Sequence, residues 1–327
     1  MNQKVKYLLS KALQLLFTIW AIATLLFFLF RLMPGNPLAA YIDPTFTNEQ
    51  QDILLEQFGL DKPLWQQYFI YFGNLLQGEL GNSFFLKEPV IEIIKNVLPN
   101  TIYIMLASLL FAYIFGTLGG VFLAWKRGSK TETIGIIATL FTRSAPQFWV
   151  GMVVLAIFSF KLHWFPSAGA SPVGTVYQSE LEKILSPEFY QHLFLPGFTL
   201  AVYLLGLPLL LMRSNMMDVM SEAYVDMARM RGLKESRIML KYAARNAALP
   251  VITAMTVGIG YAIGGNVVIE TVFSWPGLGS LLVDAVTSSD YPLAQGAFIL
   301  IAVVMIFMNF LADVLYSWMD PRVMTRR

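Results

Sequence analysis

Residues 101–125 read TIYIMLASLLFAYIFGTLGGVFLAW and contain no charged side chain. A helix of about 20 apolar residues crosses a hydrocarbon core roughly 30 Å thick, so this stretch is long enough to span a membrane. The whole chain of 327 residues agrees, because it is 56% hydrophobic and only 13% charged, with a mean hydropathy of +0.59. A soluble domain needs a more charged surface than this. The sequence therefore predicts an all-α membrane protein.

Six windows of this kind occur along the chain, and we expect six transmembrane helices. They cover approximately residues 12–30, 101–125, 134–160, 193–212, 247–269 and 296–318. Most of the 23 lysine and arginine residues fall on one side of these windows, at both termini and in residues 126–130 and 213–245. Because positive residues are enriched in cytoplasmic loops, both termini are predicted to be cytoplasmic.

The predicted topology divides the chain into three parts. Residues 1–31 form an N-terminal tail and the first span, residues 32–100 an extracytoplasmic region of helical loops, and residues 101–327 a core of five spans. The core contains a long cytoplasmic loop at residues 214–247. Apolar residues at 48–56, 64–72 and 90–94 recur every three or four positions, as in helices that lie on the membrane surface or pack on the ends of the bundle.

Glycines in two of the windows predict how the bundle packs. They stand at positions 116, 119, 120, 258, 260, 264 and 265. Because small residues let helix backbones approach each other, we expect the second and fifth spans to pack closely.

The long cytoplasmic loop has the pattern of two short helices joined by a glycine. Residues at helical spacing predict one apolar face, formed by Met216, Met220, Ala223, Met227 and Met230. Gly232 interrupts this helix, and a second helix carries a basic stripe of Lys234, Arg237, Lys241 and Arg245. The loop is either a hairpin on the membrane surface that faces anionic lipid or a docking element for another protein. The glycine favours docking, because it permits a sharp turn and close approach of a partner.

Residues 226–232 read DMARMRG and resemble the acidic-Ala-Ala-x-x-x-Gly coupling motif of ATP-binding-cassette importer permeases, with Met227 in place of one alanine. The longer run 222–250 is similar to the B subunits of dipeptide and oligopeptide permeases. That branch has a larger gap between the motif glycine and the next proline than sugar importers have. In this chain the gap runs from Gly232 to Pro250.

Further motifs extend the resemblance over nearly the whole chain. They are RLMPGNP at 31–37, FGLDKP at 58–63, GELGNS at 78–83, SAPQFW at 144–149, WFPSAG at 164–169, ETVFSWPGLG at 270–279, DYP at 290–292 and DPR at 320–322. Each motif alone is a weak signal, but their number and order make the match strong.

The resemblance implies the type I fold of these permeases, as a multi-pass protein in the cytoplasmic (inner) membrane of a bacterium or archaeon. It implies an ATPase-coupling helix whose residues are Glu222, Asp226, Ala228, Gly232, Leu233 and Glu235. The implied partners are the lipid bilayer, a homologous C-type permease subunit, two ATP-binding subunits that hold ATP and Mg²⁺, and an extracytoplasmic substrate-binding protein. No nucleic acid is implied. The implied cargo is a di- or oligopeptide, with nickel complexes, glutathione or another small solute as alternatives.

The chain itself lacks the sequence signs of an ATPase or of a cofactor site. It has no Gly-x-x-x-x-Gly-Lys-[Ser/Thr] phosphate loop, and the nearest sequence, GSKT at residues 128–131, has serine before the lysine. There are no cysteines, so thiolate metal sites and thiol nucleophiles are excluded. His163 and His192 have no neighbours at metal-binding spacing. We therefore expect no enzyme activity, no cofactor and no metal in this chain.

One group of candidate residues lies inside the third window. A charge at the depth of Arg143 is costly unless it faces water or a partner group. Arg143 either lines the translocation path, together with Ser144, Pro146 and Phe148, or forms a structural pair with Asp313 or a partner subunit. Pro146 is expected to bend this span.

A second group lies on the external side. Phe273, Trp275, Pro276, Gly277 and Gly279 combine aromatic rings with a proline–glycine break. They are either an interfacial aromatic belt or, as the resemblance implies, a gate loop near the docked binding protein. We favour the gate.

An ion-coupled secondary transporter is the main alternative class. Such a protein is expected to carry acidic residues near the membrane midplane and inverted repeats with broken helices. Here the acids near the spans are Glu270, at one end, and Asp313, towards one end, and no repeat is visible. An intramembrane enzyme is a weaker alternative, because the sequence has no His-Glu-x-x-His or Gly-x-Ser-x-Gly motif.

Overall fold

The computed structural model describes residues 3–32, 62–263 and 266–319 of the chain. These residues are mostly helical, and the only strand-like pairing among them is an isolated bridge between Asn82 and Pro89. The helical class of the fold is therefore confirmed. The helical pattern predicted at residues 48–56 lies outside the described residues.

The helices are numbered in chain order. They are α1 (Gln3–Arg31), α2 (Leu64–Gln77), α3 (Val90–Trp125), α4 (Lys130–Ser144), α5 (Gln147–Val154), α6 (Glu180–Leu185), α7 (Pro187–Val219), α8 (Ala223–Met230), α9 (Glu235–Arg237), α10 (Ala244–Ala247), α11 (Leu249–Ile263), α12 (Val267–Val272), α13 (Leu278–Thr287) and α14 (Tyr291–Met319). Two π-helical stretches complete the set: Leu155–Lys161 continues α5, and Ile238–Ala243 joins α9 to α10. Following the predicted orientation, we call the end of the bundle at Trp125 and Val219 the inner end and the opposite end the outer end.

Among the described residues, four helical segments are long and apolar enough to cross a membrane, namely Leu9–Arg31, Val90–Trp125, Pro187–Val219 and Tyr291–Leu311. They correspond to the first, second, fourth and sixth predicted windows. The third window consists of α4 and the helical residues 147–161, bent by 102°, and counts as a fifth span if the bent pair is one span. The fifth window is divided between α11 and α12, with residues 264–265 outside the described part. The described chain thus supports four or five spans, and six are not confirmed.

Pro146 accounts for the bend in the third window, as the sequence predicted. α4 ends at Ser144, Ala145 is extended with φ −70° and ψ 136°, and Pro146 precedes the first residue of α5. Proline has no N–H to donate and disfavours a helical backbone in the residue before it. The helix therefore breaks at Ala145, and the window becomes two helices at a steep angle.

The α3 and α7 helices pack backbone against backbone. A Cβ atom added at Gly116 would lie 2.9 Å from the Leu205 carbonyl oxygen, and one at Gly120 would lie 2.6 Å from the Leu209 carbonyl oxygen. Only glycine permits an approach this close. Close packing of the second span is therefore found, but its glycines contact the fourth span. The α11 helix, which lies in the fifth window, contacts the second span through Gly258, as expected.

Two sequence motifs that are far apart in the chain meet at the outer end. The buried Asp290 carboxylate accepts hydrogen bonds from the Phe84 and Phe85 amides (3.1 Å each), the Leu293 amide (3.2 Å) and the Ser83 hydroxyl. Asp290 thus caps α14 and holds the turn before α3 at the same time. This single carboxylate fixes part of the predicted external region to the last span.

The α2 helix confirms the helical pattern at residues 64–72. It packs on α1 through Tyr68, whose hydroxyl lies 3.1 Å from Trp20 Nε1, a donor, and 2.9 Å from the Thr24 hydroxyl. The pattern at residues 90–94 is not a separate loop helix, because these residues form the first turn of the long α3.

Replacing Gly120 by alanine should destabilise the protein, because the new methyl group would meet the Leu209 carbonyl at 2.6 Å. Over-packing of this kind costs about 1–3 kcal/mol. The measurement is thermal unfolding of the purified protein in detergent. Gly73→Ala is the matched control, because a Cβ at that helical position has nothing within 4 Å. Equal melting temperatures for both variants would contradict the backbone contact.

Candidate functional site

The predicted cytoplasmic loop is divided differently from the sequence expectation. The α7 helix continues past the fourth window, and a turn in which the Ser221 amide donates to the Asp218 carbonyl (3.1 Å) separates it from α8. Met216 therefore belongs to α7 and is fully buried. The prediction of one apolar helix face from Met216 to Met230 is wrong, because this turn interrupts it. We call residues 220–247 the inner segment.

The α8 helix packs on the rest of the inner segment through a small apolar cluster. Val225 and Ile238 are fully buried, and Ala228 is buried beside them. The opposite side of α8 leaves Met227 55% exposed and Met230 85% exposed. Adjacent apolar side chains on a protein surface often mark a binding site for a partner.

Gly232 ends α8 in a backbone conformation that favours glycine. Its φ angle is +73°, its amide donates to the Arg229 carbonyl at 2.8 Å, and the Leu233 amide donates to the Ala228 carbonyl at 3.3 Å. Helices commonly end with such a left-handed residue. A Cβ at Gly232 would have no neighbour within 4 Å, so this corner of the inner segment is open.

Most of the predicted coupling residues are exposed. Glu222, Asp226, Gly232 and Glu235 are exposed, Leu233 is half-buried, and Ala228 is buried. Arg229 joins two of the acids, because its Nη1 lies 3.1 Å from Asp226 Oδ1 and its Nε lies 3.1 Å from Glu235 Oε1. The pair with Asp226 lies within α8, and the pair with Glu235 connects α8 with α9 across the glycine. Ala228 and Leu233 instead belong to the packing of the segment.

Side-chain hydrogen bonds fix the inner segment to α7. Asn215 Nδ2 of α7 donates to the Ala247 carbonyl of α10 at 3.1 Å, and Asn246 Nδ2 of α10 donates to the Tyr224 hydroxyl of α8 at 2.8 Å. The α10 helix therefore contacts both α7 and α8.

The basic stripe lies on the second half of the inner segment. Lys234, Arg237, Lys241 and Arg245 are all exposed. The partner of the stripe stays a prediction.

Arg143 lies in the last turn of α4, at the bend. Its side chain is exposed, and its Cγ and Cδ atoms lie against Gly206 of α7, where a Cβ would come within 2.6 Å of both. The side chain of Asp313, its suggested partner, is outside the described residues. Both interpretations of Arg143 therefore stay predictions.

The other predicted path residues surround the same bend. The Ser144 hydroxyl donates to the backbone carbonyl of Leu140 at 2.9 Å, and Phe148 is 50% exposed just beyond Pro146. These residues lie close together because they are near neighbours in the sequence, on either side of the break between α4 and α5. Their role in transport stays a prediction.

The predicted gate loop is largely buried at the outer end. Phe273, Trp275, Gly277 and Gly279 are buried, and Pro276 is exposed. A Cβ at Gly277 would lie 2.5 Å from Glu270 Cδ, and one at Gly279 would lie 2.8 Å from Glu270 Oε2. Both positions therefore require glycine, because the Glu270 side chain occupies the space.

Glu270 organises this loop and was missed as a site residue. Its Oε2 accepts from the Gly279 amide (2.6 Å) and the Ser280 amide (3.0 Å), and its Oε1 accepts from the Thr101 hydroxyl (2.9 Å). The side chain is fully buried at the N-terminus of α13, where the helix dipole favours a negative charge. The sequence signals were its place at the start of the motif at 270–279 and its position as an acidic residue at the end of a predicted span.

A second network joins the loop to α3 and α6. Trp275 Nε1 donates to the Asn100 carbonyl at 3.0 Å, and Asn100 Nδ2 donates to the Pro276 carbonyl at 2.8 Å. The Lys183 ammonium donates to Asn100 Oδ1. Asn100 thus connects three separate parts of the outer end.

Lys183 is buried in this network. Its ammonium lies 5.7 Å from the centre of the Tyr103 ring and 5.6 Å from that of Phe189. Burial lowers the pKa of Lys183, and the Glu180 carboxylate at 3.8 Å partly opposes this shift. No sequence pattern singled out this lysine.

The four or five apolar spans in the described part of the chain, with an exposed helical segment at one end, define a multi-pass membrane protein. The family model described as "Binding-protein-dependent transport system inner membrane component" matches residues 116–325, and a model for the N-terminal part of such membrane components matches residues 4–105. The chain belongs to this family. It is a transport permease component of the inner membrane and not a catalytic ATPase.

Curated relatives cover almost the whole chain. It is 37% identical to the di/tripeptide transport system permease protein DppB of Pseudomonas aeruginosa, over 95% of this chain and 96% of the relative. It is 36% identical to the oligopeptide transport system permease protein AppB of Bacillus subtilis, over 97% and 98%. It is 32% identical to the glutathione transport system permease protein GsiC of Escherichia coli, over 98% and 99%. The resemblance to peptide-importer permeases is confirmed.

Replacing Glu270 by alanine should destabilise the outer end, because the Gly279 and Ser280 amides and the Thr101 hydroxyl lose a buried acceptor. Leaving buried donors unsatisfied costs about 1–3 kcal/mol. Thermal unfolding in detergent measures the loss. Glu270→Gln should lose less, because it keeps an acceptor oxygen, and Glu188→Ala, at an exposed position, is the control. A stable Glu270→Ala variant would show that this carboxylate does not hold the loop.

Proposed function

We propose that this chain is the transmembrane permease subunit of an ATP-binding-cassette importer that carries di- or oligopeptides. The observation that carries the proposal is the match, over almost the whole chain, to permease proteins named for di/tripeptide and oligopeptide transport. Glutathione is the second candidate cargo, because a permease of a glutathione system is 32% identical.

In this proposal the chain has the type I permease fold, with six spans and both termini in the cytoplasm. The bent pair of α4 and residues 147–161 is the third span, and α11 with α12 is the fifth. Residues 1–31 are the tail and first span, residues 32–100 the extracytoplasmic region, and residues 101–327 the permease core.

The inner segment is the proposed contact with the ATPase. The exposed Met227 and Met230 lie on the same helix as Asp226, so α8 offers a partner both apolar and acidic groups. Two ATP-binding subunits would hold ATP and Mg²⁺, and their closure would move α8 together with the spans attached to it. A C-type permease subunit and an extracytoplasmic binding protein complete the proposed importer.

The bend at Arg143, Ser144, Pro146 and Phe148 is proposed to line the translocation path. Arg143 and Phe148 are exposed in the single chain, which supports contact with the path or with the second permease subunit. The loop at 273–279 is proposed to act as a gate. Because Phe273 and Trp275 are buried, the gate would open by a shift of α12 and α13 against α3, with Pro276 free to contact the binding protein.

Replacing Gly232 by tryptophan should abolish uptake and substrate-stimulated ATP hydrolysis, because the indole would stand on the surface that meets the ATPase. Membrane insertion should be unchanged, since a Cβ at Gly232 meets nothing within 4 Å. The measurements are peptide uptake into proteoliposomes, ATPase rate, and the amount of permease in the membrane.

The matched control is Gly174→Trp on the outer side. Gly174 also has a positive φ angle, +84°, and open space around a Cβ, so it reproduces the backbone strain without touching the inner segment. Gly232→Ala adds strain with little bulk. Undiminished uptake by Gly232→Trp, or an equal loss in Gly174→Trp, would contradict the coupling assignment.

The cargo is tested on the cognate binding protein. We expect a di- or oligopeptide to raise its melting temperature in a concentration-dependent way, because a ligand that binds only the folded state stabilises it. Stabilisation by glutathione but not by peptides would favour the second candidate. Stabilisation by a nickel complex alone would overturn the peptide assignment.

A further inference from the structure

An ion pair joins α4 to α7 at the inner end of the bundle. Arg213 Nε of α7 donates to Glu132 Oε1 of α4 at 3.0 Å, and Arg213 Nη2 donates to the same oxygen at 2.5 Å. The second carboxylate oxygen of Glu132 accepts from the Gly128 amide at 2.6 Å. The Glu132 side chain is only 8% exposed, and that of Arg213 is 32% exposed. Both oxygens of the buried Glu132 carboxylate thus accept hydrogen bonds.

The position of Arg213 connects this pair to the inner segment. Asn215, two residues further along α7, donates a hydrogen bond to the Ala247 carbonyl of α10. The α10 helix in turn contacts α8 through the hydrogen bond from Asn246 to Tyr224. Met216, on the same stretch of α7, is fully buried in the cluster that contains Met239 of the inner segment. The last turns of α7 are therefore packed against the proposed docking element on one side and paired with α4 on the other.

The α4 helix links the ion pair at the inner end to residues nearer the outer end. It packs along α7 as far as Gly206, against which Arg143 lies. Beyond the bend, Gln147 Oε1 of α5 accepts from Asn266 Nδ2, the N-cap of α12, at 2.9 Å, and Gly151 of α5 lies against Phe273. A continuous set of contacts thus runs from the inner segment through α7, α4 and α5 to the gate loop.

We propose that the Glu132–Arg213 pair is the joint through which α4 moves with α7 when the inner segment is displaced. The pair therefore positions α4 for energy coupling, apart from any contact with the ATPase or the cargo. This inference rests on the proposed function, because it needs an ATPase that moves the inner segment. The two hydrogen bonds from Arg213 to Glu132 Oε1 are charge-assisted, and such bonds are stronger than those between neutral groups.

The first test is a double-mutant cycle in the complete transporter, reconstituted with its ATPase, second permease and binding protein. Glu132→Gln and Arg213→Gln should each lower the stimulation of ATP hydrolysis by loaded binding protein by about 5- to 150-fold, the usual range of coupling between sites. The double variant should be no worse than either single variant, and Glu132→Asp should recover part of the stimulation. Basal ATP hydrolysis and assembly of the complex should be unchanged.

The matched control is the Glu92–Lys95 pair, an exposed ion pair on the outer side of the same chain. Glu92→Gln/Lys95→Gln should keep full stimulation. If basal hydrolysis, assembly and stimulation fall together in Glu132→Gln, the pair is merely structural and the inference is wrong. Wild-type stimulation in Glu132→Gln also overturns the inference but leaves the proposed function intact. Absence of stimulation in the unmutated transporter would instead contradict the proposed function.

A second measurement keeps the pair intact. The chain has no cysteine, so spin labels can be placed on cysteines introduced at Ile134 of α4 and Leu240 of the inner segment, both exposed. Their distance should stay the same between the resting and the ATP-trapped transporter, because the joint makes α4 follow the inner segment. A distance that changes between the two states would overturn the inference without any variant of the pair.

Discussion

The backbone contact between α3 and α7 is the constraint on which the rest of the structure depends. The two helices contain 36 and 33 residues and meet where Gly116 and Gly120 face backbone atoms of α7. Without a hydrophobic driving force between helices inside a bilayer, close packing of this kind is a main source of helix association. The pair extends to both ends of the bundle, so it carries Asn100 and Thr101 of α3 at the outer end and Arg213 and its neighbours on α7 at the inner end.

The two ends of this pair are built differently. At the outer end the polar groups are turned inwards, where Glu270, Asn100 and Asp290 are buried and hydrogen-bonded. Networks of this kind are strong when every member is satisfied and costly when one is lost. At the inner end the segment 220–247 has only a small core, and most of its charged and several apolar side chains face outwards. The two ends of the bundle thus differ, with a buried polar junction at the outer end and an exposed helical segment at the inner end.

Local physics explains which parts of the fold and site could be predicted. The apolar windows predicted four of the spans directly. The breaks at Pro146 and Gly232 were predicted as well, because proline and glycine determine the backbone conformation at their own positions. The division of the inner segment was not predicted, because a turn around Ser221 breaks a periodic row of methionines without any glycine or proline to mark it. The third and fifth windows had enough apolar residues for a span, but hydropathy does not register a bend or a break.

The sequence by itself determined the membrane class, the family and the place of the inner segment, because composition, periodicity and ordered motifs are properties of the chain before it folds. Only the tertiary structure decided that the loop at 273–279 is buried around Glu270 and that Glu132 is paired with Arg213. The physical reason is distance along the chain: Glu132 and Arg213 are 81 residues apart, and Thr101 and Glu270 are 169 apart. Such partners are chosen by how the helices pack, and no local pattern in the sequence encodes that choice.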